Sequence, residues 1–334
     1  MATESQLEIY RIVLGKRTFK EIVREKNNIP TEEERTDDNL FTLLFQNILS
    51  KLTQNAAWTS DRTKLGLALF SNDGEDVNRI LSNHSGHFVI EGYIDGGYYD
   101  KLRTIAQTNN VATRERLGRD KMVTDRYYIY LYCPIDAKVG IMFLEKKKGL
   151  NIHTAVDLFI TEVFKTPRYA VKIERFVPQS IINEYKDEGV VDSFTFTDAI
   201  TTSVIDGQGI ELEEKRYGVT IKITLPEDER PEFDVVQQML QWLGNGAISL
   251  GNSVMHLSEF GKKKGSLQKE EKKYSFEVGD DLKIKPMIPI DDELQDEDNS
   301  ILRRDEIKTM CDEVLAQIME EVYQPFIREV LFLW

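Results

Sequence analysis

Apolar and polar positions alternate from the start of the chain, and residues 7–14 (LEIYRIVL) read as a strand. The polar run 24–35 reads as a loop. Thr36 and Asp37 then offer caps for a helix reaching about residue 53, in which Leu40, Leu44, Ile48 and Leu52 recur every four residues and Phe41 and Phe45 widen the stripe. Between residues 64 and 99 the period changes to that of strands. GLALF meets the turn signal Asn72-Asp73-Gly74, and HFVIEGYI runs to a second signal, Asp95-Gly96-Gly97. Residues 113–126 are charged and read as helix or loop. The strongest strand follows, RYYIYLYC over 126–133, stopped by Pro134 and paired across a short turn at 136–138 with VGIMFLEKKK.

Asn151 can cap a helix with Ile152, Val156, Phe159, Ile160 and Val163 on one face. Strands are predicted at 169–176 and 190–197, with a short helix between Pro178 and Gly189. The small, polar stretch 201–209 is the first plausible internal boundary. IELEEK and YGVTIKITL read as strands. A helix over about 232–243 carries Val236, Leu240 and Leu243 inward. Residues 258–273 form the most polar loop. KYSFEV and LKIKPMI suggest a hairpin, and the acidic run 291–298 a linker. Asn299 or Ser300 caps a long terminal helix that Pro325 breaks or kinks. These elements predict an α+β protein with mixed, largely antiparallel sheets, flanking helices and a long C-terminal helix. Its divisions are 1–200 and 210–334, or one continuous domain. No repeat at solenoid or propeller period is present.

Composition sets the class. With 334 residues, 41% hydrophobic and 30% charged, the chain can bury a core and is not disordered. Its net charge of −14 disfavours a general nucleic-acid coat protein, although local basic patches escape an average field that salt screens within about 10 Å. Cys133 and Cys311 have no Cys or His neighbours in sequence, so neither a disulfide framework nor a zinc site is implied. The N-terminal stretch lacks a secretory pattern, and no apolar run nears the ~20 residues that span a bilayer. A cytoplasmic protein without membrane contact is expected.

Three constellations invite chemistry. Asp136 with Glu145 and Lys147 has the residue types of a PD-(D/E)xK nuclease signature: two carboxylates for Mg²⁺ and a lysine beside the attacking water. Against it, Asp136 falls in the hairpin turn, roughly 20 Å of strand from Glu145 at about 3.3 Å per residue. The plainer reading is a solvated strand end. Asp206 with Glu213 and Lys215 is a weaker match. His84 and His87 could begin a metal site with Asp95 or Asp100, yet a surface turn explains them. Lys262, Lys263, Lys264, Lys269, Lys272 and Lys273 could meet a phosphate backbone, and Tyr127, Tyr128, Tyr130 and Tyr132 could stack bases. A solubilising loop and core packing explain both.

The terminal FIREVLFLW is unusually apolar for a chain end. Phe326, Val330, Leu331, Leu333 and Trp334 each forgo about 1.5–3 kcal/mol if exposed, so they dock in the core or at an interface. No nucleotide-binding loop, nucleophile elbow or zinc-protease motif is present. The expectation is a non-enzymatic interaction or assembly protein within a larger intracellular complex, of which a bacterial or phage defence system is one setting. Its partner is another protein or further copies of itself, and no cofactor is implied. The alternatives are the Mg²⁺-dependent nuclease and a nucleic-acid binder using the lysines at 262–273.

Overall fold

The structure, a computed structural model, describes residues 5–52, 57–69, 81–100, 103–107, 110–147, 152–167, 170–180, 190–205, 211–226, 230, 233–250, 253–269, 272–278, 284–286, 288–290, 294 and 302–331. The chain divides into two units, Met1–Phe176 with Ile288–Gln317, and Val177–Met287 with Ile318–Trp334. The architecture is α+β.

The first unit is built on β1 (Gln6–Val13), β2 (Trp58–Ser60), β3 (Leu65–Ala68), β4 (Leu81–His84), β5 (Val89–Tyr98), β6 (Arg103–Gln107), β7 (Asn110–Leu117), β8 (Val123–Tyr132), β9 (Val139–Lys146) and β10 (Lys172–Arg175). Its helices are α1 (Phe19–Lys26), α2 (Asp37–Leu49) and α3 (His153–Phe164). The sheet runs β10-β1-β9-β8-β5-β3-β2, with β4 pairing the free part of β5. The hairpin β8–β9 sits in the middle, which is why its sequence is apolar on both faces. One face packs Tyr10, Ile12, Ile90, Ile94, Ile129, Leu131, Met142 and Leu144 against buried residues of all three helices. Thr36 caps α2 as its sequence predicts. Helix α1 occupies a stretch given no element from sequence together with the first three residues of the expected loop 24–35: Thr18 and Glu21 form a capping box, and Phe19 meets Phe164 edge-on at 5.2 Å.

The second unit holds β11 (Val190–Ile205), β12 (Glu211–Thr224), α4 (Phe233–Gly244), β13 (Ala247–Leu250), β14 (Ser253–His256), β15 (Lys262–Lys269), β16 (Lys272–Val278) and β17 (Ile284–Pro286). Five of them form the antiparallel sheet β12-β11-β15-β16-β17, and β13 pairs β14. Phe194, Phe196, Phe260 and Phe276 centre the core, joined by Leu240 and Leu243 of α4. A last short strand, β18 (Ile288–Pro289), returns to pair β1. Helix α5 (Arg304–Leu331) follows; its residues up to Gln317 belong to the first unit.

Several expectations are corrected. Asp95-Gly96-Gly97 is not a turn but lies within the second half of β5, paired with β8 and β3. Glycine is required there for close approach. A Cβ on Gly96 would lie 2.7 Å from Ile152 Cγ2, and one on Gly97 only 1.8 Å from the Val123 carbonyl oxygen. Residues 113–117 are strand β7, pairing β6 in a two-stranded ribbon. Arg116 is exposed and Leu117 buried, the alternation of a strand whose charge hides its period. The lysine-rich loop is a hairpin, β15–β16, with Lys263 buried and Lys262 and Lys264 exposed. The two strands expected around residue 215 are one, β12, and 201–205, within the expected boundary, belong to β11. Helix α5 is not broken at Pro325; its helical backbone runs on to Leu331. Asn151, the turn signal at 72–74, residues 181–189 of the short helix expected between Pro178 and Gly189, the acidic run apart from Leu294, the capping residues Asn299 and Ser300, and Leu333 and Trp334 lie outside the described residues.

The clash at Gly97 is with backbone, which cannot rotate away, whereas Gly86 has open space around its Cα. Gly97→Ala should lower the free energy of unfolding by about 2–4 kcal/mol, and Gly86→Ala by less than about 0.5, in urea melts of the full chain. Equal midpoints for the two variants would contradict this account of β5.

Candidate functional site

The second face of the first unit's sheet is chemically unlike the first. Alternation along β5 sends Ile90 and Ile94 to the helix-covered core and Glu91, Tyr93 and Asp95 to the opposite side. The same period in β8 and β9 adds Tyr128, Tyr130, Phe143 and Glu145. Glu91, Asp95 and Glu145 are all buried there. The start of α5 supplies what Glu91 needs.

Glu91 is the hub. Arg304 reaches it from 213 residues away: Nε donates to Oε1 at 3.2 Å and Oε2 at 3.1 Å, and Nη2 to Oε1 at 3.0 Å. Nη2 also donates to the Glu91 carbonyl at 3.0 Å and to Ser82 Oγ at 2.7 Å. His84 Nε2 lies 3.1 Å from Oε1, and the Tyr128 hydroxyl donates to Oε2 at 3.2 Å. Tyr130 donates to Asp312 at 2.5 Å, and the Tyr93 hydroxyl donates to the Leu302 carbonyl. Burial lifts the tyrosines: Tyr93 is pushed up to about 12, and Tyr128 and Tyr130 rise further with carboxylates beside them, so all three are protonated donors.

Glu145 accepts from the Tyr128 backbone N–H at 2.8 Å and Ser5 Oγ at 2.9 Å, with Lys147 Nζ at 3.6 Å. Burial raises its pKa, and Lys147 and the two donors offset only part of that. Glu8, on the other face, behaves oppositely. Burial alone would raise it, but Arg175, the Tyr10 hydroxyl and Lys146 outweigh that and hold it below the ordinary 4.5. Beside this cluster Tyr10 stacks on His153 at 4.4 Å, and burial pushes His153 below its usual value.

His84 also lines a groove of about 580 Å³ between α2 and β4, with Phe45, Gln46, Leu49, Ser82 and Asn83. Glu91 is meanwhile bound by a guanidinium, so its first role is charge balance.

The structure separates the nuclease candidates. Asp136 pairs with Lys20 at 3.4 Å, exposed at the β8–β9 turn, while Glu145 sits at the far end of β9 and Lys147 just past it. Asp206 lies outside the described residues. His87 is exposed, His84 is on Glu91, and Asp95 faces Arg126 at 3.3 Å. Among the described residues no group of three or more His, Cys, Asp or Glu side chains could hold a metal ion. Tyr127, Tyr128 and Tyr130 are buried. Lys269 stands opposite Lys272 and Gln268 opposite Lys273 in the β15–β16 ladder. Phe326, Val330 and Leu331 have helical backbone. No described helix is long and apolar enough to cross a membrane.

Glu91, Arg304 and Trp242 carry no sequence signal that singles them out. Trp242, at 71% exposure the most open of the large apolar side chains described, lies in the last turn of α4, two turns from Val235, which is 44% exposed. Val254 on β14 is 61% exposed.

Removing Arg304 strands a buried carboxylate. Arg304→Met should cost about 3–5 kcal/mol in chemical denaturation, and adding Glu91→Gln should recover more than half of it; additive losses would sink the pairing. Glu8 gives a pH signature. Because its folded pKa is depressed, its stabilisation is present above 4.5 and is lost as pH falls through the lower folded value. The stability gap between wild type and Glu8→Gln should therefore close in that acid window, followed by urea midpoints from neutral pH downward. Comparison of the chain with family models, with curated proteins and with solved structures finds no match.

Proposed function

We propose that this chain is an interaction protein that docks a protein partner against the outer face of α4. The observation that carries the reading is Trp242. Leu240 and Leu243 turn into the core of the second unit, while Val235, Gln238 and Trp242 line the opposite side of the same helix in solvent. An exposed indole forgoes roughly 1.5–3 kcal/mol of burial, and tryptophan is the residue type most enriched where interfaces concentrate their binding energy. The buried carboxylates support the same reading, since Glu91 and Glu145 are each held by partners from their own unit. The separation of Asp136 from Glu145 along β9 argues away from a two-carboxylate metal site.

Trp242→Ala removes no core contact, so its thermal midpoint should match wild type. The test is affinity capture of the tagged full chain from its native host, with and without nuclease. The expected result is a stoichiometric protein that wild type retains after nuclease treatment and Trp242→Ala loses at least tenfold. Retention by both proteins, or loss on nuclease treatment alone, would overturn the reading, the latter in favour of a nucleic-acid bridge.

A further inference from the structure

Strand β12 is the long edge of the second unit's sheet. Its inner side pairs β11 in a regular register from Ser193↔Thr224 to Ser203↔Glu214, and a bulge follows at Ser203/Val204. Among the described residues no strand pairs its outer side. The regular part therefore presents eleven residues of backbone, from Glu214 to Thr224, on an open edge. Val219, Ile221 and Ile223 are half-buried against the core, while Gly218, Thr220, Lys222 and Thr224 face solvent. Open edges of this length recruit another strand unless something blunts them.

We infer that β12 pairs antiparallel with β12 of a second copy of this chain, about a twofold axis at Gly218. Geometry and charge select that register. Strands continuing one sheet through a twofold must keep the core side of both copies on the same face, so the axis passes through a residue and not between two. An axis at Arg216 sets two guanidinium groups opposite each other. One at Tyr217 brings no opposite charges together, and one at Val219 sets Arg216 on Lys222. At Gly218 the ladder places Glu214 on Lys222 twice, Arg216 on Thr220 and Tyr217 on Val219. Gly218 itself meets Gly218, and a Cβ built there has nothing within 4 Å, leaving room at the axis. The bulge lies just beyond Glu214 and ends the ladder without disturbing it.

This pairing uses a different surface from Trp242, and Trp242→Ala should leave it unchanged. The experiment is sedimentation velocity of the full-length protein across low to high micromolar loading, with circular dichroism confirming the fold of each variant. Wild type should form a dimer. Glu214→Lys and Lys222→Glu each set like charges opposite one another twice and should weaken association at least ~tenfold. The double variant Glu214→Lys/Lys222→Glu restores opposite charges and should recover the wild-type dissociation constant to within about threefold. A monomeric wild type overturns the inference, as does a dimer that neither single variant weakens or a double variant no better than the singles.

Discussion

The ion pair between Glu91 and Arg304 is the constraint on which the first unit's architecture turns. Its sheet has two buried faces, and the helix-covered one is largely apolar, with Glu8 as its buried, ion-paired carboxylate. The other buries carboxylates, whose desolvation costs several kcal/mol each unless cations and donors come with them. The stretch that brings the cation is 213 residues further along the chain. The buried face is therefore completed by residues that follow the second unit in the chain. Such a pair adds little net stability compared with a hydrophobic isostere. What it contributes is position. Ile307, Cys311 and Leu315 would tolerate a helix slid by one turn, about 5.4 Å. Arg304 on Glu91 and Asp312 under Tyr130 fix α5 at two points eight residues apart, against sheet residues that are themselves directly opposed, Glu91 and Tyr130.

Legibility followed apolar periodicity. Helices α2 and α4 and the hairpin β8–β9 show in the sequence because their buried positions repeat at 3.6 or 2 residues with little interruption. The strands that escape notice are those whose exposed positions are charged: β7 reads as charged helix or loop, and Lys262–Lys264 as a loop, although the buried Lys263 between two exposed lysines is itself a period of two. Gly96 and Gly97 mislead for another reason. Glycine marks either a turn or a close approach, and only the position of Ile152 and Val123 decides which. Thr18 and Glu21 form a legible capping box in a segment whose neighbours suggest no helix.

The candidate site was less legible than the fold. Glu145 and Lys147 share a face because two residues in a strand must, and the 3.6 Å contact between them follows from spacing alone. Glu91 and Arg304 look like any other pair among fifty-seven acidic and forty-three basic residues. Their meeting is a property of topology. The same is true of Trp242: helical spacing from Leu240 and Leu243 places it off the buried stripe, but a tryptophan at a helix end ordinarily finds a neighbouring element to lie against.

A chain of net charge −14 repels its own copies, and that bears on how its second unit can associate at all. At physiological salt the average field dies away over about 8 Å, whereas opposed strands in a ladder sit under about 5 Å apart. Contact is thus decided by the local pattern on the edge and not by the sum over the surface. Strand β12 departs from the average, since residues 214–222 carry one acid and three bases. In the pairing proposed for β12, self-recognition is concentrated where backbone donors and acceptors are already aligned. Salt then acts in two directions, relieving the long-range repulsion while weakening the Glu214–Lys222 contacts. The backbone ladder is common to both limits, so association through it varies far less with ionic strength than binding to a phosphate backbone, which falls steeply as salt rises.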